Sequence, residues 1–161
     1  MPSTHSRPSR RLCVTSLGLS AFLAPSLWSR FSYGAGATGN EIDQPVEPAP
    51  EAFIERAFDM RRQARASGDQ AYGAVIVKHG RIVGQAPSRV VVRHDPTAHA
   101  EMEAIRDAAR RLGSGDLSTC IMYSSSRPCP MCEAAAFWAG VEQLYFGRDI
   151  AAGGAPRLRR C

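Results

Sequence analysis

The chain has 161 residues, of which 44% are hydrophobic and 22% charged, so its composition is that of one globular domain and excludes a disordered, collagen-like or coiled-coil protein. The net charge of +5 arises at the ends, because residues 1–37 carry four arginines without an acid and three of the last five residues are arginines. The body between them has 13 basic and 15 acidic residues, which is not the basic surplus usual in nucleic-acid-binding proteins.

The first 37 residues have the three parts of an export signal. Arg10 and Arg11 precede a mostly apolar stretch over residues 12–28, and small residues over 35–37 offer a cleavage site. The arginine pair after Ser9 is similar to a twin-arginine signal, and the apolar stretch is too short and too polar for a stable membrane span. We therefore expect export to the periplasm if the signal is real, and a cytoplasmic location otherwise. The alternatives are a disordered tail rich in arginine and serine, or a start codon assigned too early.

Residues 50–154 predict one domain of alternating helices and strands, between a proline- and acid-rich linker over residues 38–49 and a basic tail over residues 155–161. The predicted elements are a helix over 50–67, a β-hairpin over 71–86, a helix over 97–112, a strand over 119–123, a helix from 128 to a stop at 140, and a strand over 144–146. The apolar side of the second helix is predicted to carry Met102, Ile105, Ala109 and Leu112. This order predicts the α/β class, as a three-layer α-β-α sandwich.

Two helix starts carry the residues of a metal site. One is Thr97-Ala-His99-Ala-Glu101 and the other is Pro128-Cys129-Pro-Met-Cys132, and each follows a strand, so both are expected at the same edge of the sheet. One histidine and two cysteines make three ligands, the number with which a catalytic zinc keeps its fourth position open. Glu101, two residues after His99, is placed to exchange a proton at that open position.

Two other interpretations of the cysteine pair stay open on the residues alone. A Cys-x-x-Cys pair can be a redox couple, although that function does not account for His99 and Glu101. It can also be half of a structural zinc site, with Cys120 as the nearest further cysteine, although Cys120 lies on a strand one element earlier. The catalytic zinc site accounts for the most residues.

The His-x-Glu motif followed by Pro-Cys-x-x-Cys resembles the signature of the zinc deaminases of the cytidine-deaminase superfamily. The similarity extends over residues 72–77, 95–101 and 128–132, with 138–139 and 145–147 after them, and covers about residues 50–150. It implies a central mixed sheet of about five strands and hydrolytic deamination of a nucleobase or nucleoside, with guanine as the first candidate. It also implies Zn²⁺ on His99, Cys129 and Cys132, with Glu101 as the catalytic group that moves the proton.

The resemblance also implies substrate contacts and a homodimer. The expected export and the charge of the body favour a small-molecule partner over a nucleic acid. The implied contact positions are Ala100, through its backbone N–H, and Ser88, Tyr72, Trp138 and Asp149. Two positions depart from the family, because Ser88 stands where relatives usually have asparagine and Arg127 where they usually have glutamate. After residue 154 the sequence no longer resembles guanine-type relatives. The alternatives are therefore tRNA adenosine deamination and a zinc-binding relative without catalytic activity.

Overall fold

The computed structural model describes residues 41–158, and the predicted export signal and the last residues of the predicted basic tail lie outside that range. Within it, the elements in chain order are α1 (Pro50–Ala66), β1 (Gly73–Lys78), β2 (Arg81–Pro87), α2 (Ala100–Leu112), β3 (Cys120–Ser124), α3 (Pro130–Trp138), β4 (Gln143–Phe146) and β5 (Ala151–Gly154). In this described part of the chain, no helix has both the length and the apolar character needed to cross a bilayer.

The five strands form one mixed sheet in the order β2-β1-β3-β4-β5, which confirms the predicted sheet. β1 is antiparallel to both β2 and β3, β4 is parallel to β3, and β5 is antiparallel to β4. The predicted order of elements lacked β5. Its sequence of two alanines and two glycines has little intrinsic strand propensity, so it is the pairing with β4 that makes it a strand.

Helices cover both faces of the sheet, as predicted for a three-layer sandwich. Successive side chains of a strand point to opposite faces, and β1 shows this directly. Val75 and Val77 pack in one apolar cluster with α1, whereas Ala74 and Ile76 pack in a second cluster with α2 and α3. Burial on both faces explains why β1 is apolar almost throughout rather than alternating.

The buried face of α2 differs from the predicted one. Its buried residues are Ala100, Glu101, Glu103, Ala104 and Ala108, while the predicted Met102, Ile105 and Ala109 are only partly buried and Leu112 is exposed. The reason is close contact with β2, because a Cβ on Gly84 would lie 2.6 Å from the Ala104 carbonyl oxygen. Only alanines fit in so narrow a gap. α2 and α3 also begin two to three residues later than predicted.

The outer edge of β2 is covered by side chains. The amide of Gln44 pairs with the backbone of Ile82, accepting from its N–H at 2.8 Å and donating to its carbonyl at 2.9 Å. The N–H of Gln85 donates to Asp107 on α2 at 3.1 Å. Ile42 is buried in the α1 cluster, so residues 41–45 pack on the domain and close an edge that would otherwise expose backbone donors and acceptors.

Candidate metal centre

The starts of α2 and α3 meet at one edge of the sheet. β2 and β3 are both antiparallel to β1, so their carboxyl ends lie at the same edge, and each is followed by a loop and a helix. His99 is the N-cap residue of α2 and Cys129 that of α3, and neither side chain bonds to its own helix end. Both side chains are therefore free to bind something else, beside helix N-termini that favour negative charge.

The possible ligand atoms form a triangle with equal sides. His99 Nδ1, Cys129 Sγ and Cys132 Sγ lie 3.6 Å from one another in all three pairs. Zinc bound at its usual distances to one nitrogen and two sulfurs in tetrahedral geometry places those atoms about 3.6–3.8 Å apart. The spacing of this donor set therefore fits zinc, with one coordination position left for a fourth ligand.

The electrostatics of the ligand triangle also favour a bound cation. Burial raises the pKa of the Cys132 thiol, and the neighbouring Glu101 and Cys129 raise it further. Without a cation, the thiolate needed for metal binding is disfavoured at this position, because it would place negative groups side by side in a buried space. A bound dication removes that penalty and holds the thiol deprotonated. The donor set thus fits zinc chemically as well as geometrically.

Glu101 lies beside the triangle and is 4% exposed. Its Oε2 is 3.6 Å from Cys132 Sγ, and its Oε1 accepts a hydrogen bond of 2.9 Å from the hydroxyl of Ser124. Ser124 is the last residue of β3 and was not predicted from the sequence. It is the first of three consecutive serines, and the pattern does not show which of them faces the carboxylate.

Cys120 is not part of the centre. Among residues 41–158, the group of side chains close enough to share a metal ion is His99, Cys129 and Cys132. Cys120 begins β3 beside Lys78, four residues before Ser124 and thus about 13 Å away along the strand. The structural zinc site with Cys120 is therefore not formed. A redox pair does not explain why His99 is as close to each sulfur as the sulfurs are to each other.

The loop after β2 is held by Asp69, which sequence analysis missed. Ser88 is buried and donates its hydroxyl proton to Asp69 at 2.8 Å, and the backbone N–H groups of Val91 and Val92 donate to the same carboxylate at 2.9 Å. Burial acts to raise the pKa of Asp69, but these hydrogen bonds lower it more, and the net pKa is below its ordinary value. The proton of Ser88 is thus committed to Asp69 rather than directed to the metal centre.

The other predicted contact residues take different positions. Ala100 is buried as the first residue of α2, so its N–H has no partner within the helix. Tyr72 is 45% exposed, and its carbonyl accepts the N–H of Ser88 at 3.0 Å. Trp138 is 76% exposed at the opposite end of α3 from the cysteines, and Asp149 is exposed on the loop after β4.

Arg127 lies over an aromatic ring of β4. It is exposed, and its guanidinium lies 5.7 Å from the centre of the Phe146 ring. This departure from the usual glutamate therefore adds a cation over β4.

Comparison with known proteins identifies the family. Residues 48–148 match the model of the cytidine and deoxycytidylate deaminase zinc-binding region. The chain belongs to this deaminase family. It is 40% identical over 100 residues to guanine deaminase of Bacillus subtilis, and 40% identical over 96 residues to tRNA-specific adenosine deaminase of Aquifex aeolicus. The match with the crystal structure of guanine deaminase from Bacillus subtilis has a TM-score of 0.58 at 41% identity, covering 60% of this chain and 62% of that one.

These matches confirm the predicted superfamily and fold. They cover 62% and 60% of this chain, and 64% of the length of each of the two curated relatives. The chain therefore spans just under two thirds of the length of these two curated relatives. Zinc, predicted from the residues, is the metal of the family and fits the donor set.

Proposed function

We propose that this chain is a zinc-dependent hydrolase that deaminates a nucleobase or nucleoside, with guanine as the first candidate. One observation carries the proposal, namely the triangle of His99, Cys129 and Cys132 with the carboxylate of Glu101 beside it. Three protein ligands leave a coordination position open, which is the arrangement of catalytic rather than structural zinc. A carboxylate within reach of that position is what a hydrolytic reaction requires.

The chain's own residues supply positioning and proton transfer. When bound, zinc supplies Lewis-acid activation of a water molecule at neutral pH. Glu101 Oε2 accepts a proton from the attacking water and returns it to the substrate, so that the amine leaves as ammonia and the ring carbon gains the oxygen. The N–H of Ala100 at the start of α2 is placed to donate to a polar atom of the base. Burial of Glu101 and Cys132 keeps bulk water from this proton transfer.

Guanine is placed first because the guanine deaminase of Bacillus subtilis is 40% identical and shares the fold. The base must be recognised differently here than in relatives that have an asparagine amide at the position of Ser88. Ser88 donates its one proton to Asp69, so toward a substrate its oxygen can only accept. Tyr72, Trp138 and Asp149 remain proposed contacts, of which Trp138 requires either a rearrangement or a second copy of the chain to reach a substrate.

The proposal is tested by ammonia release from a substrate panel. The panel contains guanine, cytosine, adenine, their nucleosides and an adenosine-containing anticodon stem-loop, each incubated with zinc-loaded protein. We expect turnover of guanine above the other free bases. Absence of turnover on every substrate, by protein that holds about one zinc per chain, would support the non-catalytic alternative instead.

A group of arginines favours adenosine deamination on tRNA as a second candidate. An open cavity of about 310 Å³ is lined by Phe58, Arg61, Arg62, Arg65 and Arg148. The guanidinium of Arg148 lies 4.1 Å and that of Arg61 5.6 Å from the centre of the Phe58 ring. Arg148 follows β4, which is parallel to β3, so this one lining residue lies at the carboxyl edge of the sheet, the edge at which α2 and α3 begin. Clustered arginines suit phosphate groups, although the net charge of the body does not.

The stem-loop in the panel separates the two candidates. If tRNA is the substrate, Arg61→Glu combined with Arg65→Glu weakens stem-loop binding at least tenfold and makes it less dependent on salt. Arg81→Glu is the matched control, because Arg81 is an exposed arginine at the start of β2, on the opposite edge of the sheet. Equal stem-loop binding by both variants removes the second candidate.

The proposal includes a homodimer. Phe137 and Trp138 are 42% and 76% exposed and contact each other edge to face at the end of α3. Light scattering coupled to gel filtration measures the mass directly. We expect the mass of two chains for the wild type and of one chain for Trp138→Ala, and a monomeric wild type rejects this part of the proposal.

Export is proposed from the sequence of residues 1–37 alone. A fusion of residues 1–40 to a reporter that is active only outside the cytoplasm tests it, with Arg10→Lys and Arg11→Lys together as the variant that abolishes a twin-arginine signal. A reporter that stays in the cytoplasm with both sequences rejects export.

A further inference from the structure

Ser124 and Glu101 share a buried hydrogen bond next to the metal centre. The hydroxyl of Ser124 lies 2.9 Å from Glu101 Oε1, and the two residues are 1% and 4% exposed. An ionised carboxylate has no proton to give, so the hydroxyl is the donor. Oε1 of Glu101 is therefore occupied as the acceptor of this bond.

This bond separates the two oxygens of the carboxylate. Oε1 is held by Ser124, whereas Oε2 lies 3.6 Å from Cys132 Sγ, on the side of the ligand triangle. The terminal torsion of a glutamate is broad, and without a partner the group turns between orientations. A donor on one oxygen thus fixes the other oxygen toward the reacting groups.

The backbone of Ser124 is fixed by pairing with both neighbouring strands. It ends the central strand of the sheet and is paired with Ala74 on one side and Phe146 on the other. Its carbonyl oxygen also accepts the N–H of Gly147 at 3.0 Å. Functional groups held by strands are located more closely than those held by loops, so the hydroxyl has a fixed place from which to hold Glu101.

We infer that Ser124 is a positioning residue for Glu101, which keeps Oε2 oriented for proton transfer in the deamination. The inference rests on the proposed function, because it takes Glu101 to be the group that moves the proton. Ser124 acts through Glu101, so its loss is felt in the chemical step and not in substrate binding or in zinc content.

Two variants of similar shape test this. Ser124→Val removes the hydroxyl, while Ser124→Thr keeps it. We expect kcat to fall at least tenfold in the valine variant, with KM within about threefold of wild type and zinc content unchanged. The threonine variant restores kcat to within about threefold of wild type. If the valine variant does not fold, Ser124→Ala takes its place.

Ser125→Ala is the matched control. Ser125 is the next residue, is 4% exposed, and accepts the N–H of Gly73 at 3.0 Å instead of contacting Glu101. Its loss leaves a buried donor without a partner, so we expect the melting temperature to fall by about 2–6 °C with kcat retained. Comparison of Ser124→Val with Ser125→Ala thus separates the effect of losing a buried hydrogen bond from the effect of misplacing Glu101.

Crystal structures of the zinc-loaded wild type and of Ser124→Val give a result that does not depend on activity. We expect one orientation of the Glu101 carboxylate in the wild type and a second or displaced orientation in the variant. An unchanged single orientation, or a loss of kcat smaller than tenfold, overturns the inference. A wild type without turnover on the whole panel instead defeats the proposed function, while the crystal structures still decide the role of Ser124.

Discussion

At the scale of single residues, the metal centre depends on side chains that form no capping hydrogen bond with their own helix. His99 and Cys129 occupy helix N-cap positions, where a side chain often satisfies the first N–H groups of the helix, yet here neither does so. Each instead points its ligand atom at the other and at Cys132. The helix starts determine where His99 and Cys129 lie, and their imidazole and thiol groups make them zinc ligands.

The three cysteines of the domain give a matched test of the ligand set. Cys129→Ser replaces one of the three ligands, so we expect zinc to fall from about one per chain to a small fraction after dialysis. Cys120→Ser changes a buried cysteine outside the triangle, so zinc should stay at the wild-type value. Metal analysis by mass spectrometry measures both. Equal zinc loss in the two variants would contradict the proposed ligand set.

Asp69 makes the stability of the loop after β2 dependent on pH. Its folded pKa is below the ordinary value of 3.8, so its carboxylate stabilises the fold above that pH, and the stabilisation is lost as the pH falls through the lower folded pKa. Asp69→Asn leaves buried N–H groups with a poorer acceptor and should cost about 1–3 kcal/mol near pH 7.

Urea denaturation of wild type and Asp69→Asn at several pH values checks this prediction. The difference in unfolding free energy between the two proteins should shrink as the pH falls below about 3.8. Asp43→Asn, at an exposed position, is the control and should show no such trend. A wild-type and Asp69→Asn difference that is constant from pH 7 to pH 3 contradicts the assignment.

At the scale of elements, α2 packs closely against the sheet because Gly84 on β2 has no side chain. A Cβ on Gly84 would lie 2.6 Å from the Ala104 carbonyl oxygen, the Ala108 Cβ and the Ala108 backbone nitrogen. Two of these are backbone atoms and the third is a side chain of one atom, so none of them can move aside without moving α2. α2 also carries His99 at its cap and Glu101 in its first turn. The spacing between β2 and α2 therefore sets the location of one metal ligand.

Gly84→Ala should accordingly lower both stability and zinc affinity. We expect a loss of about 1–3 kcal/mol from overpacking, together with weaker zinc retention because α2 is pushed outward. Gly115→Ala is the control, since a Cβ there meets no atom within 4 Å, and its stability should be unchanged or raised by up to about 1 kcal/mol. Urea denaturation and zinc competition with a chelator measure the two effects, and wild-type values for Gly84→Ala would contradict the close packing.

The elements also show what sequence alone can and cannot predict. The starts of α2 and α3 are marked by local chemistry, namely proline and the ligand residues themselves, so the metal centre was predictable. The buried face of α2 was not, because alanines rather than Met102 and Ile105 fit beside Gly84, and that depends on the distance to a strand. β5 depends likewise on its pairing with β4.

Side chains that support the site were the hardest to predict. Ser124 and Asp69 act on partners 23 and 19 or more residues away, and no local pattern marks them. A serine at a strand end and an aspartate after a helix are common in loops for unrelated reasons. Only the fold brings Ser124 to Glu101 and Asp69 to Ser88.

At the scale of the whole molecule, net charge is a poor guide to where charge lies. The body is close to neutral, and from this the sequence predicted no nucleic-acid partner. Folding nevertheless gathers Arg61, Arg62, Arg65 and Arg148 around one cavity. The choice between a free base and a base within RNA therefore depends on this local arrangement, which the substrate panel examines.

The central claim is that zinc and Glu101 together deaminate a base, and one measurement tests it most directly. Ammonia release from the best substrate of the panel is compared for zinc-loaded wild type, metal-free wild type and zinc-loaded Glu101→Gln. The account predicts release by zinc-loaded wild type, none by the metal-free protein until zinc is returned, and a rate about 10²- to 10⁴-fold lower for Glu101→Gln at full zinc content. Equal rates for wild type and Glu101→Gln, or full activity without metal, would contradict it.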